Sequence, residues 1–262
     1  MHRLIVFEGL PCSGKSTAAK RIADALHYKN VDEGTGDHPA DYEYHAYLDE
    51  EAMKRFSRED LRDILSASEP AVNGAVVPLS AFEGDPLLSA LLPYKIYDGL
   101  PWETERPVML DKWERFVEQT APDETYVFNC VLMQNAMCET MMRFDLDIAV
   151  SAAYIKEICE IIRPLDPLIV YLERSDTEAA VMRASRERGE KWLQSVIRYH
   201  CSGRYGKRLR LSGFDGYVSA LRERQERELQ ILKELPADHI ILNDPQRNWE
   251  KAYAQILKEN TL

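Results

Sequence analysis

Long apolar runs are missing from this sequence. No segment approaches the roughly 18 consecutive apolar residues that a membrane-spanning helix needs. The first three residues lead straight into a strand pattern, without the charged and long apolar regions of a secretory signal. We therefore expect a cytoplasmic protein that has no membrane partner.

Positive charge is also scarce. The chain has 33 Lys and Arg residues against 44 Asp and Glu residues, which gives a net charge of −11. Nucleic acids and anionic membranes favour basic surfaces, so this charge argues against nucleic acid as the main partner. An acidic protein can still bind ATP, because backbone dipoles and a few local cations hold the phosphates.

Cysteines are few and are not arranged in CxxC pairs. The five cysteines are Cys12, Cys130, Cys138, Cys159 and Cys201. An odd number with this spacing is typical of reduced thiols in the cytosol. Cys12 lies inside a glycine-rich segment, where it either fills space in a loop, which we favour, or is a reactive thiol whose pKa is lowered by a helix N-terminus.

The segment that contains Cys12 has the composition of a phosphate-binding loop. Gly9-Leu-Pro-Cys-Ser-Gly14-Lys15-Ser16 follows an apolar strand pattern and precedes a helix pattern. The two glycines let backbone N–H groups turn inward around phosphate oxygens. Lys15 can reach the β- and γ-phosphates, and the hydroxyl of Ser16 suits Mg²⁺, so we predict an ATP and Mg²⁺ site. The predicted nucleotide-binding residues here are Gly9, Pro11, Cys12, Ser13, Gly14, Lys15, Ser16 and Thr17.

Strand and helix patterns alternate along the rest of the chain. Apolar strand patterns lie at residues 28–31, 125–133, 167–172 and 239–243, and helix patterns at 104–120, 151–162, 216–234 and 247–259. This alternation predicts an α/β protein, a three-layer P-loop NTPase fold with a central parallel sheet of about five strands. In such sheets the ligand lies at the carboxyl ends of the strands.

Residues 47–103 interrupt the alternation. Two short helix patterns, at residues 47–56 and 57–65, precede a stretch that is rich in proline and glycine. Ser57 and Asp60 have the spacing of a helix N-cap. We predict a helical and irregular insert that caps the acceptor site, within one kinase-like domain of residues 1–262.

Two segments resemble the thymidylate kinases and related nucleoside and nucleotide kinases. They are FEGLPCSGKST near the N-terminus and PLIVYLERSDTEAAVMRASRERGEKW, which ends at Trp192. The resemblance covers residues 1–26 and 166–192, and loosely 238–244, and it leaves the substrate unassigned. It implies a lid over residues 176–206, stabilisation of transferred charge by Arg183 and Arg186, and a nucleotide-binding role for Asn243. The lid arginines fit this role chemically, because phosphoryl transfer spreads negative charge over oxygens that cations stabilise.

The sequence departs from this family after the strand pattern YVFNC. The family carries Asp-Arg-Tyr or a variant there, whereas this chain has Asn129 and no arginine to hold a monophosphate. A neutral, hydroxyl-bearing acceptor is therefore favoured over thymidylate. Gln134 and Asn135 are candidates to bind such an acceptor, and capping of the next helix is an equal alternative.

An acid-rich segment, residues 32–45, supplies candidates for the general base. Glu33 is the first choice because it lies at a strand end, and Asp37 is the second. His38 is a candidate substrate contact. A simple turn remains the alternative, since Asp, Gly and Pro are also turn formers.

Together these features predict an ATP-dependent small-molecule kinase. Its acceptor would be a nucleoside, a nucleotide or another hydroxyl compound. A GTP switch is disfavoured, because Asn243-Asp244 lacks the Lys of the Asn-Lys-x-Asp loop. The alternative is a nucleotide-binding regulatory ATPase that has no small-molecule acceptor. Whether the protein forms a homodimer is left open.

Overall fold

The apolar run that begins at Leu4 forms the middle strand of a five-stranded sheet. The computed structural model describes residues 1–260. All six residues of this first strand are buried, as expected for a strand covered on both faces. The described residues form eight strands: β1 Leu4–Gly9, β2 Lys29–Val31, β3 His45–Asp49, β4 Glu69–Ala71, β5 Gly74–Pro78, β6 Tyr126–Asn129, β7 Pro167–Glu173 and β8 Asp238–Asn243.

Thirteen α-helices connect these strands within the described residues. They are α1 Lys15–Leu26, α2 Glu50–Met53, α3 Arg58–Ser66, α4 Leu87–Leu91, α5 Ile96–Gly99, α6 Trp102–Gln119, α7 Gln134–Met137, α8 Ile148–Ile162, α9 Thr177–Arg188, α10 Glu190–Cys201, α11 Arg204–Leu209, α12 Gly213–Leu232 and α13 Trp249–Glu259. A π-helical turn follows α7 at Cys138–Arg143. No helix among residues 1–260 is long and apolar enough to cross a membrane.

The chain divides into two compact units. The first consists of Met1–Glu33 together with the chain from Thr120 onward. Its sheet has the order β2-β6-β1-β7-β8, and every pairing is parallel. Helices α1 and α13 cover one face, where Ile22 and Ile256 join the core, and α12 covers the other, where the Tyr171 hydroxyl bonds to Glu228. The predicted three-layer α/β fold with a five-stranded parallel sheet is confirmed.

The second unit spans Gly34–Gln119 and has a sheet of its own. Its three strands pair antiparallel in the order β3-β5-β4. The prediction of a helical and irregular segment at 47–103 was therefore incomplete. The missed signal is Asn73-Gly74, a hairpin turn in which Asn73 has a φ of 54°. A Cβ atom at Gly74 would lie 2.4 Å from the Leu48 carbonyl oxygen, so only glycine fits between the strands.

Other predicted boundaries shift in the structure. The strand predicted over 125–133 ends at Asn129, because Cys130 takes a left-handed φ of 71° and turns the chain out of the sheet. The helix predicted over residues 47–56 is only the short α2, since the preceding residues belong to β3. The predicted cap of α3 is confirmed, as Asp60 N donates to Ser57 Oγ at 3.1 Å.

Candidate phosphate-binding site

The loop between β1 and α1 is built on residues with left-handed backbone. Cys12 and Gly14 have φ values of 68° and 96°. A Cβ atom at Gly9 would lie 2.6 Å from the Leu172 carbonyl oxygen, and one at Gly14 would lie 2.8 Å from the Trp249 ring. Both glycines are thus required by close packing as well as by backbone conformation.

Lys15 folds back across this loop. Its ammonium donates to the carbonyl oxygens of Gly9 at 2.9 Å and Leu10 at 2.8 Å. The residue is only 5% exposed, so the positive charge is held in place before any ligand arrives. An ammonium fixed at the start of a helix, as that of Lys15 is, can bind phosphate oxygens.

In the first unit, two side-chain hydrogen bonds connect β6 with α1 and with the residue after β2. Asn129 Nδ2, at the end of β6, donates to Ser16 Oγ at 2.9 Å and to Asp32 Oδ1 at 3.1 Å. Asp32 directly follows β2, the neighbour of β6 in the sheet. β6 ends in an amide, Asn129, and the carboxylate at this edge of the sheet comes from Asp32, after the neighbouring strand β2. Sequence reasoning passed over Asp32 in favour of the acids that follow it.

A cavity of about 460 Å³ adjoins the phosphate loop within the first unit. Its walls come from the loop and α1, from the chain after β2 and β6, and from α9 and α10. Nine predicted site residues line it together, namely Pro11, Cys12, Gly14, Lys15, Ser16, Thr17, Glu33, Gln134 and Arg183. Gln134 Nε2 donates to Glu33 Oε2 at 3.0 Å, which ties the two predicted acceptor-side groups to each other.

The predicted lid helix contributes two arginines to this cavity. Helix α9 begins at the Asp176 cap, whose carboxylate accepts from Ala179 N, and ends at Gly189 with a φ of 86°. Arg183 and Arg188 line the cavity, whereas Arg186 is exposed and is not part of its wall. Arg188 was not among the predicted lid arginines. The sequence feature that could have identified it is its position directly before Gly189, where the helix ends.

Helix α10 provides an aromatic side to the same cavity. Trp192, Val196 and His200 recur every four residues and so lie along one face of the helix. The Arg188 guanidinium lies 5.2 Å from the centre of the Trp192 ring. His200 is stacked on Tyr217, and its pKa is lowered to about 3, first by burial. None of these three residues was singled out from the sequence.

The remaining predicted site residues lie elsewhere. Asp37 and His38 line a separate cavity inside the second unit. Asn243 lines a third cavity beside Asp244, in the first unit. Asn135 lies on α7, next to Gln134, and does not line the phosphate-loop cavity. The candidate residues therefore do not form one constellation within either unit.

Cys12 and its surroundings favour the loop-filling interpretation. Burial raises the pKa of the Cys12 thiol, although Arg188 and Lys15 oppose this shift. The Cys12 carbonyl accepts from the Arg174 guanidinium at 3.3 Å. Arg174, which directly follows β7, is thus a further contact of the phosphate loop that sequence reasoning did not identify.

Glu8, on β1, holds the chain segment that follows β6. Its carboxylate accepts the backbone N–H groups of Leu132, Met133 and Gln134 at 2.8, 2.8 and 3.1 Å. The residue is fully buried, and burial raises its pKa to about 7. One side chain of β1 thereby fixes the chain that follows β6, including the backbone of Gln134.

One family model matches part of the sequence. It is described as chromatin associated protein KTI12, and it matches residues 2–69. The matched segment includes the phosphate loop and extends into the second unit. No sequence among the curated proteins matches the chain.

Several solved structures are similar to this chain. The YorR protein from Bacillus subtilis in complex with phosphorylated GDP is 12% identical, with a TM-score of 0.45, and the match covers 99% of this chain and 96% of YorR. The deoxyadenosine kinase from M. mycoides with bound dATP is 15% identical, with a TM-score of 0.45 and coverage of 99% and 100%. The thymidylate kinase from Ehrlichia chaffeensis is 11% identical, with a TM-score of 0.41 and coverage of 97% and 96%. Nucleoside and nucleotide kinases, the class that the sequence motifs resemble, are thus among the proteins of similar structure, and the substrate stays unassigned.

Proposed function

We propose that the protein transfers the γ-phosphoryl group of ATP to a hydroxyl group of a small molecule. The observation that carries this proposal is the shared cavity of Lys15, Ser16, Glu33 and Arg183. It combines cations for the phosphates with a carboxylate that can receive a proton. That combination is what phosphoryl transfer to a hydroxyl requires.

Magnesium fits the donor set beside the phosphate loop. The Ser16 hydroxyl and the Asp32 carboxylate both contact the amide of Asn129. Hydroxyl and carboxylate oxygens are the ligands that Mg²⁺ prefers. Bound there together with the ATP phosphates, Mg²⁺ would neutralise charge on the β- and γ-phosphate oxygens. We assign Ser16 and Asp32 to this role.

The transfer step needs one base and several cations. The acceptor oxygen forms a bond to the γ-phosphorus as the bond to the β–γ bridging oxygen breaks, and the hydroxyl proton passes to Glu33. ADP leaves with the electron pair of the broken bond. Lys15 and the lid arginines Arg183 and Arg188 stabilise the negative charge on the transferred group and on ADP. The hydrogen bond from Gln134 orients the Glu33 carboxylate.

One further segment takes a supporting role in this proposal. Residues 176–206 act as a lid over the phosphates. The acidic net charge of −11 argues against nucleic acid or an anionic membrane as a partner and is compatible with ATP and a small acceptor.

A regulatory ATPase is the second candidate function. It is favoured by the match of residues 2–69 to the model described as chromatin associated protein KTI12. In that case ATP would bind at the same loop, and water rather than a small molecule would receive the phosphoryl group.

The Glu33→Gln variant tests the proposal. ATP affinity should stay unchanged, because in this proposal Glu33 receives the proton of the acceptor and does not bind ATP, and kcat with a hydroxyl acceptor should fall about 10²-fold or more. Turnover is measured over a panel of nucleosides, sugars and amino alcohols, with Asp37→Asn as the matched variant. ATP hydrolysis that no panel compound stimulates would support the regulatory ATPase instead. Full activity of Glu33→Gln would exclude Glu33 as the base.

A further inference from the structure

Arg224, on α12, carries a charged side chain that is completely buried next to the phosphate loop. It is 0% exposed, and its Nε lies 3.0 Å from Glu228 Oε1, which is equally buried. Burial alone would lower the pKa of Arg224, but the Glu228 carboxylate outweighs this effect, so the pKa is raised and the guanidinium stays charged. The Tyr171 hydroxyl donates to Glu228 Oε2 at 2.6 Å and fixes the carboxylate. A buried ion pair adds little to stability, because the loss of hydration offsets the attraction, so stability alone does not explain this arginine.

The guanidinium of Arg224 reaches the backbone of the phosphate loop. Nη2 donates to the Gly9 carbonyl oxygen at 3.4 Å, and Nη1 donates to Cys138 Sγ at 3.6 Å. Arg224 does not line the phosphate-loop cavity, so it does not contact a ligand bound there. Any effect of Arg224 on ATP therefore passes through the Gly9 carbonyl.

The Gly9 carbonyl is shared by two cations. Lys15 Nζ donates to it at 2.9 Å, and both this bond and that of the guanidinium are buried. Carbonyl groups alternate in direction along a strand, so that of Gly9 faces the same side as that of Phe7, towards β6. On that side Cys130 N donates to the Phe7 carbonyl at 3.0 Å, and the N–H groups of residues 132–134 bind a buried carboxylate. The Gly9 carbonyl thus depends on side-chain donors.

Lys15 has to release loop carbonyls when ATP binds. Its ammonium has three N–H donors, of which two bond to the carbonyls of Gly9 at 2.9 Å and Leu10 at 2.8 Å. A phosphate-loop lysine contacts the β- and γ-phosphates, so at least one carbonyl loses its lysine. The Leu10 carbonyl keeps a partner, since Ser13 N donates to it at 3.2 Å. For the Gly9 carbonyl, the remaining donor is Arg224.

We propose that Arg224 is a positioning residue, which keeps the Gly9 carbonyl paired while Lys15 moves to the ATP phosphates. A buried carbonyl without a donor is unfavourable, so a protein that lacks Arg224 would hold Lys15 on Gly9 more tightly. ATP would then have to compete with that hydrogen bond. This inference rests on the ATP site of the proposed function and is independent of the acceptor.

A variant without the buried charges tests this role. Tyr171→Phe, Arg224→Met and Glu228→Met are combined, because removal of the arginine alone would leave a buried carboxylate unpaired. Its affinity for a fluorescent ATP analogue should fall about tenfold, the effect expected of one unpaired buried group. Arg227→Met is the matched control, since it removes an ion pair with Glu223 of the same helix, in the wall of a different cavity. Unchanged affinity of the folded triple variant would overturn the proposal.

Arg224→Lys tests the same point if the triple variant does not fold. It keeps a positive charge beside Glu228 but has one nitrogen on a shorter side chain, so it cannot reproduce the fork of contacts to Glu228 and Gly9. The same loss of ATP affinity is expected. Wild-type affinity in a folded Arg224→Lys protein would overturn the proposal.

The dependence on Lys15 separates a positioning role from a structural one. In a Lys15→Ala background, the changes at Arg224 should weaken binding of the ATP analogue less than about twofold, because no lysine has to be released. Equal weakening with and without Lys15 would mean that Arg224 only maintains the shape of the loop, and would overturn the proposal.

Urea unfolding of the ligand-free protein provides a test that does not need ATP. Removal of both Lys15 and Arg224 should cost more stability than the two separate losses added together, because the Gly9 carbonyl then has neither donor. This test still decides the role of Arg224 if the wild type binds no ATP analogue, a result that would refute the proposed function. Additive losses would overturn the role of Arg224.

Discussion

The amide of Asn129 lies 3.1 Å from the carboxylate of Asp32, although 97 positions separate the two residues in the chain. They meet because β2 and β6 are adjacent and parallel, with Val31 opposite Phe128. The side chains after both strands therefore reach the same edge of the sheet, beside Ser16. The phosphate loop thus has a carboxylate nearby, even though β6 ends in an amide.

Replacement of Asp32 tests its role beside Ser16. If Asp32 helps to hold Mg²⁺, Asp32→Asn should raise the Mg²⁺ concentration for half-maximal activity about tenfold or more. A titration of ATP turnover against Mg²⁺ measures this, and Asp24→Asn, an exposed site on α1, is the control. An unchanged Mg²⁺ requirement with a lower kcat would instead mean that Asp32 acts on the acceptor.

Replacement of Lys15 tests the phosphate loop. Lys15→Ala removes the buried ammonium that bridges the Gly9 and Leu10 carbonyls, and turnover should fall about 10²-fold or more. The control is Lys20→Ala on the exposed face of α1. Circular dichroism should show the same helix content for both variants. Near-normal ATP turnover in Lys15→Ala would show that the loop is not the site.

The three lid arginines should differ in their effects. Arg183 and Arg188 line the cavity, so alanine at either position should lower kcat more than it weakens ATP binding, because transferred charge develops in the transition state. Arg186→Ala should have a smaller effect, since this exposed side chain is not part of the wall. Single-turnover kinetics separate binding from transfer. An effect of Arg186→Ala as large as that of Arg183→Ala would mean that the lid rearranges when ATP binds.

Glu8 should make the folding free energy depend on pH. Burial raises its pKa from 4.5 to about 7 in the folded protein, so the folded state binds the proton more tightly than the unfolded state. The stabilisation is complete at low pH and is lost as the pH rises from about 4.5 towards 7. The unfolding free energy of Glu8→Gln minus that of the wild type should therefore rise by up to about 3 kcal/mol across this interval.

Urea unfolding at a series of pH values measures this difference. His38, His45 and His200 have lowered pKa values, so they cost stability as the pH falls below their unfolded value of 6.5. They occur in both proteins, and their contribution cancels in the difference. A difference that stays flat would mean that the backbone N–H bonds offset the effect of burial, so that the pKa of Glu8 is the same in the folded and unfolded states.

Local sequence was sufficient to predict the features that form from contacts between residues close together in the chain. The phosphate loop, the cap of α3 and the parallel sheet all follow from short patterns of glycine, polar caps and apolar runs. The thymidylate-kinase-like resemblance came from such local segments as well. The hairpin at Asn73-Gly74 was also readable, but one of its two strands, β4, has only three residues and is weakly apolar.

What the sequence by itself determined is the class of chain: an α/β protein with a phosphate loop between its first strand and helix. Tertiary structure alone decided which side chains meet. Strand order brought Asp32 to Asn129, and the packing of α10 brought Trp192 to the phosphate-loop cavity. Asp37 and His38 line a cavity of the second unit with Lys112, whereas Glu33 lines the phosphate-loop cavity of the first unit. The physical reason is that a loop or cap forms from contacts over a few residues, whereas a site joins strand ends that only the folded sheet makes adjacent.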